Sequence, residues 1–309
     1  MSTKSQKTKV VVILGPTASG KTALATKLAY HYQGEIISAD SRQVYQGLDI
    51  GSGKDLAEYE VAGQSIPYHL IDVISPQEQY SVADYQAAAL KALAEIKDRN
   101  KLPIIVGGSG LYLQAVLDNF QLTTVKPDLA KRAQREALGA AELWQKIFKL
   151  QPEFAKNIND SDRKNPRRLA RYLEIVTSGQ MIKKPSVNPD LDFLLLGLEV
   201  SDEEMRHRIS QRLLDRLNNQ NLVGEVEKLV ANGLSWQRLN SLGLEYRYLA
   251  WYLQGKLDYE EMIEQLTTAS YRFAKRQKTW FRRLEKEGKQ IHWIKDLTAA
   301  KEIIDHWLE

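Results

Sequence analysis

Eight residues, Gly15-Pro-Thr-Ala-Ser-Gly-Lys-Thr22, constrain this chain more than any others. They follow a continuous aliphatic run, Lys9 to Leu14, and open a segment, Lys21 to Tyr30, in which Ala23, Leu24, Leu28 and Ala29 recur at helical spacing. A strand, a G-x-x-x-x-G-K-[ST] loop and a helix in that order form the context in which the pattern cradles phosphate. The glycines let backbone N–H groups turn inward, and the helix N-terminus adds the positive end of its dipole. Gly15, Pro16, Thr17, Ala18, Ser19, Gly20, Lys21 and Thr22 are therefore the expected polyphosphate site. Lys21 would neutralise a diphosphate, and the Thr22 hydroxyl would ligate Mg²⁺ or bond a phosphate oxygen.

The pattern continues as alternating strands and helices. Glu35–Ala39, Tyr68–Ile74 and Leu102–Val106 read as strands and Val82–Arg99 as a helix; the last of those strands closes in Gly107-Gly108-Ser109-Gly110. Glycine-rich strand ends and this alternation predict a doubly wound parallel sheet, an α/β fold. From about residue 128 to 180 the chain is helical, charged and poor in strand signals, and Leu191–Leu198 then returns to the sheet. We read this as a mostly helical domain, residues 121–189, inserted into a core made of 1–120 and 190–309. After Ser201 the chain reads as mostly helical.

Composition narrows the chemistry. With no cysteine among 309 residues, disulfides, thiolate zinc sites and a cysteine nucleophile are excluded, and the five histidines lack metal-ligand spacing. No apolar run reaches membrane-spanning length, and the polar, basic N-terminus lacks the core of a signal peptide, so a cytoplasmic protein without a membrane partner is expected. Net charge is only +4, yet residues 163–184 carry seven Lys/Arg against Glu174 alone, and residues 271–289 carry eight against Glu285 and Glu287. Two basic segments in a nearly balanced chain fit polyphosphate or nucleic acid; solvated helix faces are the plainer alternative.

Two further features bear on the reaction. Asp40 stands just past the second strand, where ligands of doubly wound sheets bind. It could be a general base, a magnesium ligand, or a cap on the Ser41-Arg42 turn. In the segment 205–217, Met205, Ile209, Leu213 and Leu217 form an apolar stripe, with Arg208, Arg212 and Arg216 at i+4 spacing beside it. Arginine suits bidentate phosphate contact, and an ordinary amphipathic helix with a solvated basic face is the plainer alternative. Near the C-terminus, Arg272, Arg276, Thr279 and Arg283 share a basic face, while Phe273, Trp280 and Leu284 are assigned to packing. A P-loop alone would suggest ATP binding and phosphoryl transfer, but the strand ending in Gly107-Gly108 offers no acid for a magnesium shell.

Taken together, GPTASGKT (15–22), SADSRQVYQGLDIGSGK (38–54), GGSGLY (107–112) and AKRQKTWFRR (274–283) resemble the bacterial type of tRNA dimethylallyltransferases, also called tRNA isopentenyltransferases. The order and spacing match over nearly the whole chain. The resemblance implies that the P-loop holds the diphosphate of dimethylallyl diphosphate, with Mg²⁺. It implies that Asp40 is the base on the exocyclic amine of the adenine 3′ of the anticodon, in tRNAs reading codons that start with U. Lys21, Thr22, Arg208 and Arg212 would complete the catalytic set. Contacts to the tRNA anticodon stem-loop would fall on Asp40, Ser41, Arg42, Gln43, Ser109, Asn165, Arg167, Arg168, Gly243, Arg247, Lys275, Arg276, Gln277, Thr279 and Arg282. Three positions depart from the family pattern: Ser109 replaces a threonine, Leu244 lacks an aromatic ring, and Tyr172 stands where a small residue is common. A monomer is expected. The competing readings are a P-loop kinase of a small metabolite, an isopentenyltransferase acting on free adenine nucleotides, and a non-catalytic RNA-binding protein.

Overall fold

The computed structural model describes residues 7–121, 125, 128–179 and 188–309; Lys183 and Lys184 of the first basic segment lie outside them. Among the described residues eight strands are formed: β1 Thr8–Leu14, β2 Glu35–Ala39, β3 Glu60–Val61, β4 Gln64–Ser65, β5 Tyr68–His69, β6 Pro103–Gly107, β7 Leu191–Leu198 and β8 Ile291–Ile294. Six of them make one parallel sheet in the order β5-β2-β6-β1-β7-β8, and β3 and β4 form a small hairpin. The aliphatic runs are explained by burial on both faces. Along β1, Val10, Val12 and Leu14 enter one apolar cluster while Val11 and Ile13 enter another on the opposite face.

Helices cover each face. One face carries α2 (Val82–Asp98), α3 (Gly110–Leu117) and helices of the C-terminal half: α9 (Asp202–Asn218), α10 (Leu222–Ala231), α11 (Trp236–Leu242), α12 (Leu244–Leu253) and α13 (Tyr259–Lys286). The other face carries α1 (Lys21–Tyr32) and α14 (Leu297–Leu308). The chain divides into two compact units, residues 1–117 with 188–309, and residues 118–187. The second unit contains α4 (Leu129–Glu136), α5 (Gly139–Leu150), α6 (Pro152–Lys156), α7 (Asp160–Arg163) and α8 (Pro166–Thr177). It has its own core of Leu143, Ile147, Ala155, Ile158, Leu169, Ala170, Leu173 and Val176.

One strand expectation is corrected. The strand read from Tyr68 to Ile74 ends at His69, because Leu70 and Asp72 take positive φ, 64° and 56°. The turned backbone presents the Asp72 carboxylate to buried Lys54, whose ammonium also bonds Asp49 Oδ1 at 2.5 Å and the Tyr45 carbonyl at 2.9 Å. The C-terminal segment also contributes β8, a four-residue edge strand paired with β7. Its sequence, IHWI, is too short to show period-2 alternation against the surrounding helices.

Candidate active site

Parallel pairing brings the strand ends to one edge of the sheet. Gly107 is registered with Leu14 on one side and Ala39 on the other, so the P-loop, Asp40 and the glycine loop start at the same level. Gly107 is required there, since a Cβ would fall on the Ala39 carbonyl. A cavity of about 350 Å³ opens at this edge. Its lining includes Thr17, Ala18, Gly20, Lys21, Thr22, Asp40, Ser41, Arg42 and Gln43 from the strand ends, and Ser109, Arg212, Arg216, Gly243, Leu244, Arg247, Phe273, Arg276 and Gln277 from later elements.

The loop is bent for anion binding. Ala18 (φ 61°) and Gly20 (φ 86°) adopt left-handed backbone, and the Ser19 N–H donates to the Pro16 carbonyl at 3.3 Å. Gly15 must lack a side chain because a Cβ would stand 2.6 Å from Ser19 Oγ. That buried hydroxyl has no hydrogen-bond partner. Helix α1 has no side-chain cap and no acid in its first turn, in contrast to α2, which Ser81 and Asp84 close as a capping box. Its first amides are therefore left to another acceptor. Lys21 Nζ lies 3.4 Å from the Pro16 carbonyl. Burial pushes its pKa down to about 8, against the opposing pull of Asp40 and Glu58 and with a contribution from Arg212.

Two later helices complete the loop. Gln277 of α13 is buried; its Oε1 accepts from the Thr17 N–H at 2.8 Å and its Nε2 donates to the Gly108 carbonyl at 2.8 Å. From α9, Arg212 Nη2 donates to Thr17 Oγ1 at 2.5 Å, and Arg208 Nη1 donates to the Ser19 carbonyl at 3.2 Å. Arg208 also pairs with Glu204 at 2.5 Å and is not among the lining residues. Burial brings the Arg212 pKa down to about 10, with Arg216 adding to the effect and Glu245, Asp55 and Asp40 opposing it.

The Asp40 turn is held from several directions. Asp40 Oδ1 accepts the Arg42 N–H at 2.8 Å, and Ser109 Oγ accepts the Ser41 N–H at 3.0 Å. Gln43 is buried, accepting from Ser38 Oγ and donating to the Gly53 carbonyl, each at 2.8 Å. Gly243 lies against the Arg42 side chain, and Arg247 Nε donates to the Asn240 carbonyl at 3.0 Å.

On α13 the expected faces are partly exchanged. Phe273, assigned to packing, is 38% exposed and lines the cavity, because the buried stripe runs through Ser270, Ala274, Gln277, Phe281 and Leu284. Lys275, Arg276, Thr279 and Arg282 are exposed. In the helical unit Asn165 caps α8, its Oδ1 accepting the Arg167 and Arg168 N–H groups at 3.1 and 3.3 Å. Arg167 is exposed with Glu136 3.4 Å away, and Arg168 pairs with Asp162. The Tyr172 hydroxyl donates to the other oxygen of Asp162 at 2.6 Å. Sequence reasoning did not single out Lys54, Gln43 as a brace, or Glu225, whose carboxylate accepts the Ile50 N–H at 2.6 Å and the Gly51 N–H at 3.0 Å. Gln43 and Lys54 stand in turns and loops, where no periodicity marks a buried polar residue, and Glu225 lies beside the buried stripe Leu222, Val226 and Leu229 of α10.

The chain as a whole is similar to known proteins. The profile of the family described as IPP transferase matches residues 43–284. A protein of Syntrophus aciditrophicus named tRNA dimethylallyltransferase 1 is 45% identical, the alignment covering 95% of this chain and 96% of the relative. The tRNA isopentenylpyrophosphate transferase structure from Bacillus halodurans is 34% identical, with a TM-score of 0.68 over 98% of this chain and 96% of that one. A eukaryotic dimethylallyltransferase acting on tRNA is 26% identical, with a TM-score of 0.74 over 94% of this chain and 75% of that one.

Proposed function

This chain belongs to the IPP transferase family, and from that membership we infer that it transfers a dimethylallyl group from dimethylallyl diphosphate to the exocyclic amine of an adenine in tRNA. The acceptor is the adenine 3′ of the anticodon, in tRNAs that read codons starting with U. The observation that carries this reading is one cavity lined by a P-loop, an aspartate and a set of arginines, all contributed by a single chain. A monomer is proposed as the working unit, and the substrate supports a cytoplasmic location. No helix among the described residues is long and apolar enough to cross a membrane.

The adenine amine is a poor nucleophile, so the reaction depends on how readily the diphosphate leaves. The open amides of α1, the Ser19 hydroxyl, Lys21 and Arg212 stabilise negative charge as the allylic C–O bond breaks. The new C–N bond forms at the amine, and Asp40 takes the proton that the nitrogen releases. Arg208 and Gln277 hold the loop in shape. Among the described residues no cluster of His, Asp or Glu could hold a metal unaided. The Thr22 hydroxyl, with diphosphate oxygens and water, is a hard-oxygen set that fits Mg²⁺. Bound there, the ion would neutralise charge on the leaving group. The target base leaves the stack to reach the cavity. Arg42, Arg247, Lys275, Arg276, Thr279 and Arg282 meet the tRNA around the cavity, with Asp40, Ser41, Ser109 and Gly243 at its mouth. Arg167 and Arg168 of the helical unit, positioned by Asn165, bind the stem.

Asp40→Asn tests the assignment. The amide keeps the oxygen that accepts the Arg42 N–H, so the turn survives while the base is lost. The expected result is a fall in kcat of about 10²- to 10⁴-fold with an unchanged KM for dimethylallyl diphosphate, read as labelled prenyl group entering unmodified tRNA. Label entering AMP in preference to tRNA would move the chain to the nucleotide-acting branch; phosphate released from ATP without prenyl transfer would restore the kinase.

A further inference from the structure

The three arginines of α9 are not equivalent. Arg208 and Arg212 direct their guanidinium groups at P-loop acceptors. Arg216, one turn further on, is 3% exposed and lines the cavity, and its Nε and Nη2 have no hydrogen-bond partner. The one carboxylate within 4 Å of it among the described residues, Asp55, stands 3.5 Å from Nη2, outside hydrogen-bond geometry, and is itself 38% exposed. The chain makes room for the guanidinium, because a Cβ on Gly53, whose φ is 68°, would fall on Nη2. A buried, singly flanked cation with vacant donors is costly unless something bound satisfies it.

Steps of four residues along a helix advance by about 6 Å. Arg212 touches the loop at Thr17, so Arg216 lies one such step along the helix from the group that touches the loop. An oxyanion held by both arginines must extend out of the P-loop. A single phosphate seated in the loop would not reach; a diphosphate would. We propose that Arg216 is the residue by which this cavity selects a diphosphate over a single phosphate, donating to a phosphoryl oxygen that projects from the P-loop between Arg212 and Arg216. The inference rests on the cavity being the diphosphate site.

The test is calorimetric titration of the full chain with inorganic pyrophosphate and with orthophosphate, comparing the unaltered protein with Arg216→Met, Arg216→Lys and Lys21→Met. Arg216→Met should weaken pyrophosphate binding by roughly 10- to 100-fold and leave orthophosphate binding unchanged. Arg216→Lys, which keeps the charge and loses the fork, should fall between. The unliganded Met variant should melt at or above the temperature of the unaltered protein, since an unsatisfied buried charge has been removed. A lower melting temperature for that variant would make Arg216 a structural partner of Asp55 and overturn the proposal. Unchanged pyrophosphate binding in both Arg216 variants, with binding lost in Lys21→Met, would also overturn it while leaving the site reading intact. Pyrophosphate binding unaffected by Lys21→Met would remove the site reading itself.

Discussion

Lys21 combines two demands that oppose each other. It must be charged to hold a diphosphate, yet burial brings its pKa down to about 8. Below that pH the ammonium is protonated and complements the ligand; above it the free protein must take up a proton to bind. The KM for dimethylallyl diphosphate should therefore be flat below pH 8 and rise by up to about tenfold per pH unit above it. Lys21→Arg should abolish the rise, because a guanidinium keeps its charge throughout. A rise that persists in the arginine variant would assign the titration to another group. The P-loop residues, Asp40 and the arginine ladder were all legible in the sequence, because a motif with a fixed spacing encodes its own geometry. The different tasks of Arg208, Arg212 and Arg216 were not legible. Identical residues at identical spacing diverge only through what packs opposite each, and the partners lie about 190 residues away for Arg208 and 195 for Arg212.

Among the elements, α13 does the most to shape the site. Its Gln277 links the P-loop to the glycine loop through one amide, and Gly110 lies flat against the Trp280 ring, where a Cβ would stand 2.5 Å from Cδ2. Gln277→Ala leaves the Thr17 N–H and the Gly108 carbonyl unpartnered, a cost of about 1–3 kcal/mol. It should also raise the KM for dimethylallyl diphosphate and lower kcat/KM by roughly 10- to 100-fold, since small displacements of a binding loop are expensive. Thermal melting and steady-state kinetics on the same variant check both; a destabilised protein with unchanged kinetics would reduce Gln277 to a packing residue. Strands buried on two faces, such as β1 and β7, stood out as aliphatic runs. Segment 68–74 misled, since its apolar residues serve a turn that delivers Asp72 to Lys54. The face of α13 misled for a related reason. Its buried stripe contains Gln277 and Ser270, and hydrophobicity alone points to Phe273 instead.

For the whole molecule, charge placement matters more than net charge. Glu174, the one acid in the first basic segment, is buried in the helical unit beneath arginines. Burial works to raise its pKa, but hydrogen bonds from Arg132, Arg171 and the Asp128 N–H hold it below the ordinary value. Arg171 of the same segment is held inward with it, and Arg163, Lys164, Arg167 and Arg168 remain exposed. Binding of tRNA should weaken steeply with salt, and Arg167→Ala should reduce the slope of log K against log[salt] by about one without altering the KM for dimethylallyl diphosphate. A filter-binding salt titration checks this; an unchanged slope would return Arg167 to solvated surface. The brace on Thr17 has a consequence in time as well as in space. The residue that steadies the phosphate cradle is synthesised 260 residues after the cradle itself. A growing chain that has emerged only through β6 already carries the complete loop, but its brace and its α9 guanidinium groups have yet to be made. The pocket is finished from its far end.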